Sequence, residues 1–176
     1  MKLASRKAVS YSIGVVLMVA LAISVIVLAI ATSQKWWKGQ SQFSQMDTSD
    51  SRVYMDQKGN CKLTIAVRNS GTTVLKIARI AIETKLPGSQ LWVVFNAPTV
   101  QLTDGTLGEL VSSNPQRAYL QGQELFVESA QTASLNFLIS AEKGSKYFEI
   151  GKRYMCTVYA GGEVTLFSIS VEATGK

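Results

Sequence analysis

The stretch Cys61-Lys62-Leu63-Thr64-Ile65-Ala66-Val67 sets Cys61, Leu63, Ile65 and Val67 on one parity and Lys62, Thr64 and Ala66 on the other. Successive side chains of a strand point to opposite faces, so this alternation predicts a strand with one buried face and one wet face. Asn69-Ser70-Gly71 then supplies turn chemistry, and the chain resumes over 73–84, where Leu75 and Ile77 share one parity while Ile80 and Ile82 share the other. The switch near Ala78 and Arg79 predicts a bulge or a strand buried on both faces. Further runs rich in apolar and β-branched residues occupy 91–95, 100–103, 124–128, 133–139, 153–159 and 164–171. Pro87-Gly88, Asp104-Gly105, Lys143-Gly144 and Gly161-Gly162 punctuate them. About eight short strands at this spacing predict an immunoglobulin-like two-sheet sandwich over 52–176.

Cys61 is in phase with Leu63, Ile65 and Val67, and Cys156 with Tyr154 and Val158, so both thiols are expected to point inward. In an oxidising compartment they suit an inter-sheet disulfide; the alternative is two buried free thiols that pack as small hydrophobes. The chain has no histidine and only these two cysteines, which excludes Ser/His and Cys/His nucleophile pairs, His-containing zinc sites and four-cysteine clusters. Glu124 and Glu128 are the pair a glycosidase reading would use, and solvated acids on a strand or turn explain them more simply. Trp92, Tyr119 and Tyr159 would furnish an aromatic sugar-binding surface, or pack in the core. With no phosphate loop, no calcium-type acidic cluster and no N-glycosylation sequon in the sequence, no catalytic residue, metal or cofactor is expected.

Upstream, residues 39–51 (GQSQFSQMDTSDS) are polar, lack an apolar repeat and read as a linker. Before them, residues 13–31 (IGVVLMVALAISVIVLAIA) are interrupted only by Gly14 and Ser24. At about 1.5 Å per residue this run spans roughly 28 Å, close to the hydrocarbon thickness of a bilayer. It predicts a transmembrane or filament-core helix within 9–38. The run is apolar on all sides, so the helix needs lipid or protein around its whole circumference. Ile13, Gly14, Leu17, Ala20, Leu21, Ser24, Val25 and Leu28 are expected to form its packing surface, the small Gly14, Ala20 and Ser24 permitting close approach. Trp36 and Trp37, flanked by Lys35 and Lys38, stand where interfacial anchors would sit, or pack on the domain. The expected fold class is α+β: one long N-terminal hydrophobic helix, then the all-β sandwich.

The formal charge is +6, of which residues 1–38 hold +5 through Lys2, Arg6, Lys7, Lys35 and Lys38 without any acid. The remaining 138 residues set 13 basic against 12 acidic side chains and lack the basic patch that nucleic-acid binding requires. The basic residues ahead of the apolar run orient the N-terminus to the cytoplasm and the body to the outside. Ala29-Ile30-Ala31 offers a secretory cut before Thr32, but the apolar run exceeds the ~7–15 residues of a signal-peptide core. A permanent anchor, a secretory signal and processing ahead of the helix are the three alternatives for this terminus.

Arg6-Lys7-Ala8 followed by Val9 and the apolar run resembles the class III signal of archaeal type IV pilins and archaellins, which a prepilin peptidase cuts after a basic-basic-small triplet. The order of leader, helix, linker and β domain is similar to that family, as are the hairpins at 63–82 and 154–173. Ile13 stands at the fifth mature position, where bacterial type IV pilins carry a glutamate. The resemblance implies a cleaved leader over 1–8 and cleavage between Ala8 and Val9. It also implies insertion in the cytoplasmic membrane before assembly, a membrane platform with a cytoplasmic ATPase, and a filament of identical subunits at the cell surface. The function so implied is that of a structural pilin, with adhesion or surface attachment as the filament's task, and not of an enzyme. The alternative is a single-pass anchored sandwich that binds a partner in the archaeal cell envelope or motility machinery, such as a surface-layer protein, or a minor pilin. A secreted carbohydrate-active or sugar-binding domain starting near Thr32 is the third class.

Overall fold

The structure, a computed structural model, describes residues 14–26 and 45–174. The chain divides into two compact units, Met1–Gln42 and Phe43–Lys176. In the first, residues 14–26 form a helix, α1, in which every residue is exposed. Among the described residues, no helix is long and apolar enough to cross a membrane. The transmembrane helix and the α+β fold class expected from the sequence are corrected accordingly. Hydropathy measures the tendency of a segment to leave water and does not by itself make that segment a membrane-spanning helix.

The second unit is almost wholly β. Its strands are β1 (Met46–Asp47), β2 (Arg52–Met55), β3 (Cys61–Asn69), β4 (Leu75–Glu83), β5 (Gln90–Asn96), β6 (Thr99–Leu102), β7 (Leu107–Ser112), β8 (Ala118–Gln121), β9 (Glu124–Val127), β10 (Thr132–Ile139), β11 (Arg153–Ala160) and β12 (Glu163–Ala173). A short helix, α2 (Ala141–Tyr147), precedes β11. The strands pair in the order β11-β12-β2-β3-β10-β7-β6-β5-β4, and β4 pairs again with β11, closing a nine-strand barrel. Every pairing is antiparallel except β12 with β2. The β8–β9 hairpin extends from β4, and β1 adds to β3. The two-sheet sandwich expected from the sequence is therefore corrected to one closed sheet. Alternation identifies the buried face of a strand but does not say whether that face meets a second sheet or the far wall of its own.

Closure depends on β4. Along one edge it pairs with β9 through Leu75–Ile77 and with β5 through Ile80–Glu83. Along the other it pairs with β11, Ile82 opposite Cys156, Ile80 opposite Val158 and Arg79 opposite Tyr159, after which Ala160 faces Ile77. Ala78 is thus the extra residue of a bulge, and the parity switch anticipated at Ala78 and Arg79 is present. The bulge lets Leu75, Ile77, Ile80 and Ile82 all enter one core despite their mismatched spacing. They meet Leu63, Ile65 and Val67 of β3, Val93 and Phe95 of β5, Leu135 and Phe137 of β10 and Val158 of β11, all at most 1% exposed.

Three polar or steric details fix the ends of this core. The buried Asn69 side chain donates through Nδ2 to the carbonyls of Thr73 (2.7 Å) and Val127 (2.8 Å), and its Oδ1 accepts from the Gly71 N–H (3.0 Å). One amide thereby ties the β3–β4 turn to β9. Between β1 and β2, on the edge of β3 away from β10, the Ser51 hydroxyl accepts from the Ala66 N–H and donates to the Ala66 carbonyl. At α2, Gly144 lies against the Gly59 carbonyl, and a Cβ there would stand 2.7 Å from Cys61 Sγ, so only glycine lets the helix approach this closely. Substituting Asn69→Ala would strip three backbone groups of their partner, and a loss of about 2–4 kcal/mol is expected. A clear fall in the urea midpoint checks this; a change under ~0.5 kcal/mol would show that water or neighbouring groups replace the amide.

Candidate functional site

Because β4 bulges at Ala78, Lys76 and Arg79 both stand exposed on the outside of the barrel. Trp92 of β5 lies between the buried Leu91 and Val93 and so points outward, on one side of Arg79; Tyr159 of β11 lies on the other. The two rings stack with centroids 6.0 Å apart and planes inclined by 25°. The Arg79 guanidinium carbon is 5.1 Å from the Trp92 centroid and 4.4 Å from that of Tyr159. Contacts of this kind are worth roughly 0.5–1 kcal/mol at exposed sites. Their larger consequence is to hold a long side chain in place.

Beside this stack is a cleft of about 460 Å³ bordered by Arg79, Trp92, Val94, Thr103, Gln123 and Glu124. The Thr103 hydroxyl accepts from the Trp92 backbone N–H at 3.2 Å, joining the β6–β7 turn to the cleft wall. Among the described residues, the side chains of Arg79, Gln123 and Glu124 make no hydrogen bond or ion pair. A second outward stack lies farther along the sheet, where Tyr119 and Phe126 are 5.5 Å apart and nearly parallel, with Lys76 Nζ 5.5 Å from the Phe126 centroid.

The aromatic residues singled out in the sequence are thus divided: Trp92 and Tyr159 come together, and Tyr119 belongs to the other stack. Arg79, Lys76 and Phe126 were missed as functional candidates, although the parity switch at Ala78 and Arg79 already implied a side chain displaced outward beside an out-facing Trp. The Glu124/Glu128 pair is not assembled as a site, since Glu128 Oε2 lies 3.7 Å from Arg117 Nε while Glu124 borders the cleft. Among the described residues, no cluster of three metal-ligating side chains occurs.

Of the helix candidates, Gly14, Leu17, Ala20, Leu21, Ser24 and Val25 lie on α1 and are exposed. The Ser24 hydroxyl donates to the Ala20 carbonyl at 2.8 Å, so the only side-chain polar group among these six is satisfied within the helix. Arg6, Lys7, Ala8, Val9, Ile13, Leu28, Trp36 and Trp37 lie outside the described residues.

Cys61 and Cys156 both point into the core, as their phase indicated, and are free thiols there. Cys61 pairs across the sheet with Met55 and Ile139, and Cys156 with Ile82 and Phe167. They sit on strands three steps apart around the ring, so a shared inward direction did not make them partners. Burial, with a smaller contribution from the Asp56 charge, pushes the Cys61 thiol up to about 11; burial, with a smaller contribution from Glu83, pushes Cys156 up to about 12.

No protein-family model and no curated protein matches the chain. Among solved structures, it is similar to the apo PCuAC domain from PmoF1 at 13% identity, covering 76% of this chain and 97% of that one with a TM-score of 0.42. It is similar to the periplasmic chaperone SfaE at 13% identity, over 74% of this chain and 58% of that one, with a TM-score of 0.36. The GH20 exo-β-N-acetylglucosaminidase from Vibrio harveyi aligns at 17% identity over 73% of this chain and 19% of that one, with a TM-score of 0.29. Likenesses at these scores carry no argument about fold or function.

The thiols allow a direct check. Both folded-state values lie above those of an unfolded chain, so the stability tied to the neutral thiols is complete below pH ~9 and is lost as pH rises toward 11 to 12. Neither cysteine is expected to react with iodoacetamide at pH 8 until the chain is unfolded, whereupon both should. Labelling of either residue in the folded protein, read by intact mass, would contradict this burial.

Proposed function

We propose that this chain is a structural subunit of an extracellular filament whose copies associate through the apolar N-terminal helix, while the barrel supplies the water-compatible surface. The observation that carries the reading is the exposure of α1: Val15, Val16, Leu17, Met18, Val19, Leu21, Ile23, Val25 and Ile26 are each between 47% and 79% exposed, on every side of the helix. Each such side chain is worth roughly 1.5–3 kcal/mol when removed from water. A single flat contact covers one stripe of a helix, whereas this one needs neighbours around its circumference, as a bundle of several copies provides. The internally bonded Ser24 hydroxyl leaves no side-chain polar penalty on burial, and Gly14 and Ala20 permit close approach. The resemblance of Arg6-Lys7-Ala8 to a prepilin-type leader supplies the compartment and the kind of filament for this reading.

The test is Ile23→Asp in the full chain, followed by sedimentation and electron microscopy. The parent protein should form polymers, and the variant should stay small while keeping the barrel's β circular dichroism. Polymers of equal yield from the variant would contradict assembly through the helix. So would a parent protein that floats with lipid vesicles as a single copy and never self-associates.

A further inference from the structure

The cleft beside Arg79 has a chemistry of its own that assembly through α1 does not use. Its wall includes the half-buried, largely apolar indole of Trp92 beside the aliphatic side chain of Val94 and the β5 backbone. Its rim carries groups of both signs and both hydrogen-bonding senses: the five N–H donors of Arg79, the carboxylate acceptor of Glu124, and the amide of Gln123, which can do either. Among the described residues, none of these three side chains makes a hydrogen bond or an ion pair. Arg79 is also held against two rings, so little conformational freedom remains for a ligand to remove.

We propose that this cleft binds a neutral carbohydrate, one face of a hexopyranose ring lying on the apolar wall and its hydroxyls bridging Arg79, Gln123 and Glu124. The choice follows from charge complementarity. An anionic ligand drawn to Arg79 would bring a like charge against Glu124, and a cationic one drawn to Glu124 would meet Arg79. A neutral polyol escapes both penalties, because each hydroxyl donates to the carboxylate through its hydrogen and accepts from the guanidinium through its oxygen. A sugar ring also combines an apolar C–H face with a polar edge, the same combination the cleft presents. The volume, about 460 Å³, falls within the ~300–1,000 Å³ of small-molecule sites and would admit one or two sugar residues of a longer chain.

The experiment is ligand-observed saturation-transfer NMR on the full chain, which works on monomers and large assemblies alike. The probes are cellohexaose, maltohexaose, mannohexaose and chitohexaose, with tetragalacturonate and a chitosan hexamer as anionic and cationic counterparts. At least one neutral hexasaccharide should show saturable transfer centred on its ring C–H protons. Arg79→Met, which keeps an unbranched apolar side chain but removes the donors, should weaken it at least tenfold, as should Trp92→Ala. Tyr119→Ala, in the other stack, should leave it unchanged. The absence of saturable transfer to all four neutral probes, tighter binding of either charged one, or equal binding by folded Arg79→Met would overturn the proposal. None of these outcomes depends on whether the chain forms filaments.

Discussion

Everything in the β unit depends on β4 serving three neighbours at once. A nine-residue strand that pairs with β9 and β5 along one edge and β11 along the other must direct Leu75, Ile77, Ile80 and Ile82 into the same core, although two of these have one parity and two the other. The extra residue at Ala78 reconciles the two halves. Without that bulge, one apolar pair would face water, at roughly 1.5–3 kcal/mol per side chain, and the β11 edge would lose its partner. Closing the sheet leaves few open edges, which otherwise invite pairing with foreign strands.

The same bulge generates the outer surface. Displacing the backbone at Ala78 is what sets Arg79 opposite Tyr159 and near Trp92, so the constraint that fills the core also orders a cation on the outside. Fold and candidate site share one origin here. An aromatic pair that clasps an arginine leaves its donors to whatever enters the neighbouring cleft, and the presence of Glu124 on the same rim argues for a ligand without net charge.

Much of the body was legible in the sequence. The alternation over Cys61 to Ile65, the turn after Asn69 and the parity switch in β4 are local properties, and each appears in the structure; Ala66, expected on the wet face, is instead buried, its backbone bonded to the Ser51 hydroxyl. Sheet closure was not legible, because pairing β4 with β11 joins residues some eighty positions apart and an inward-facing side chain looks the same in a sandwich and in a barrel. The thiol state was open for the same reason: Cys61 and Cys156 share a direction without sharing a neighbourhood. Asn69 illustrates a different limit, since its place at the start of turn chemistry was plain but its position on β3 and its bond to the Val127 carbonyl are tertiary facts. At the N-terminus, an apolar stretch of 19 residues suggested a bilayer span, whereas no helix among the described residues is long and apolar enough to cross a membrane.

The central claim is that the strands form one closed ring, with β4 as the joint. Cross-strand proton–proton contacts between β4 and β11, measured by NMR on isotopically labelled protein, test it most directly. The closed ring predicts strong backbone contacts between Ile80 and Val158 and between Ile82 and Cys156, with slow amide exchange along both strands. Two separate sheets, with no contacts between these residues and rapid exchange along the β11 edge, would contradict it.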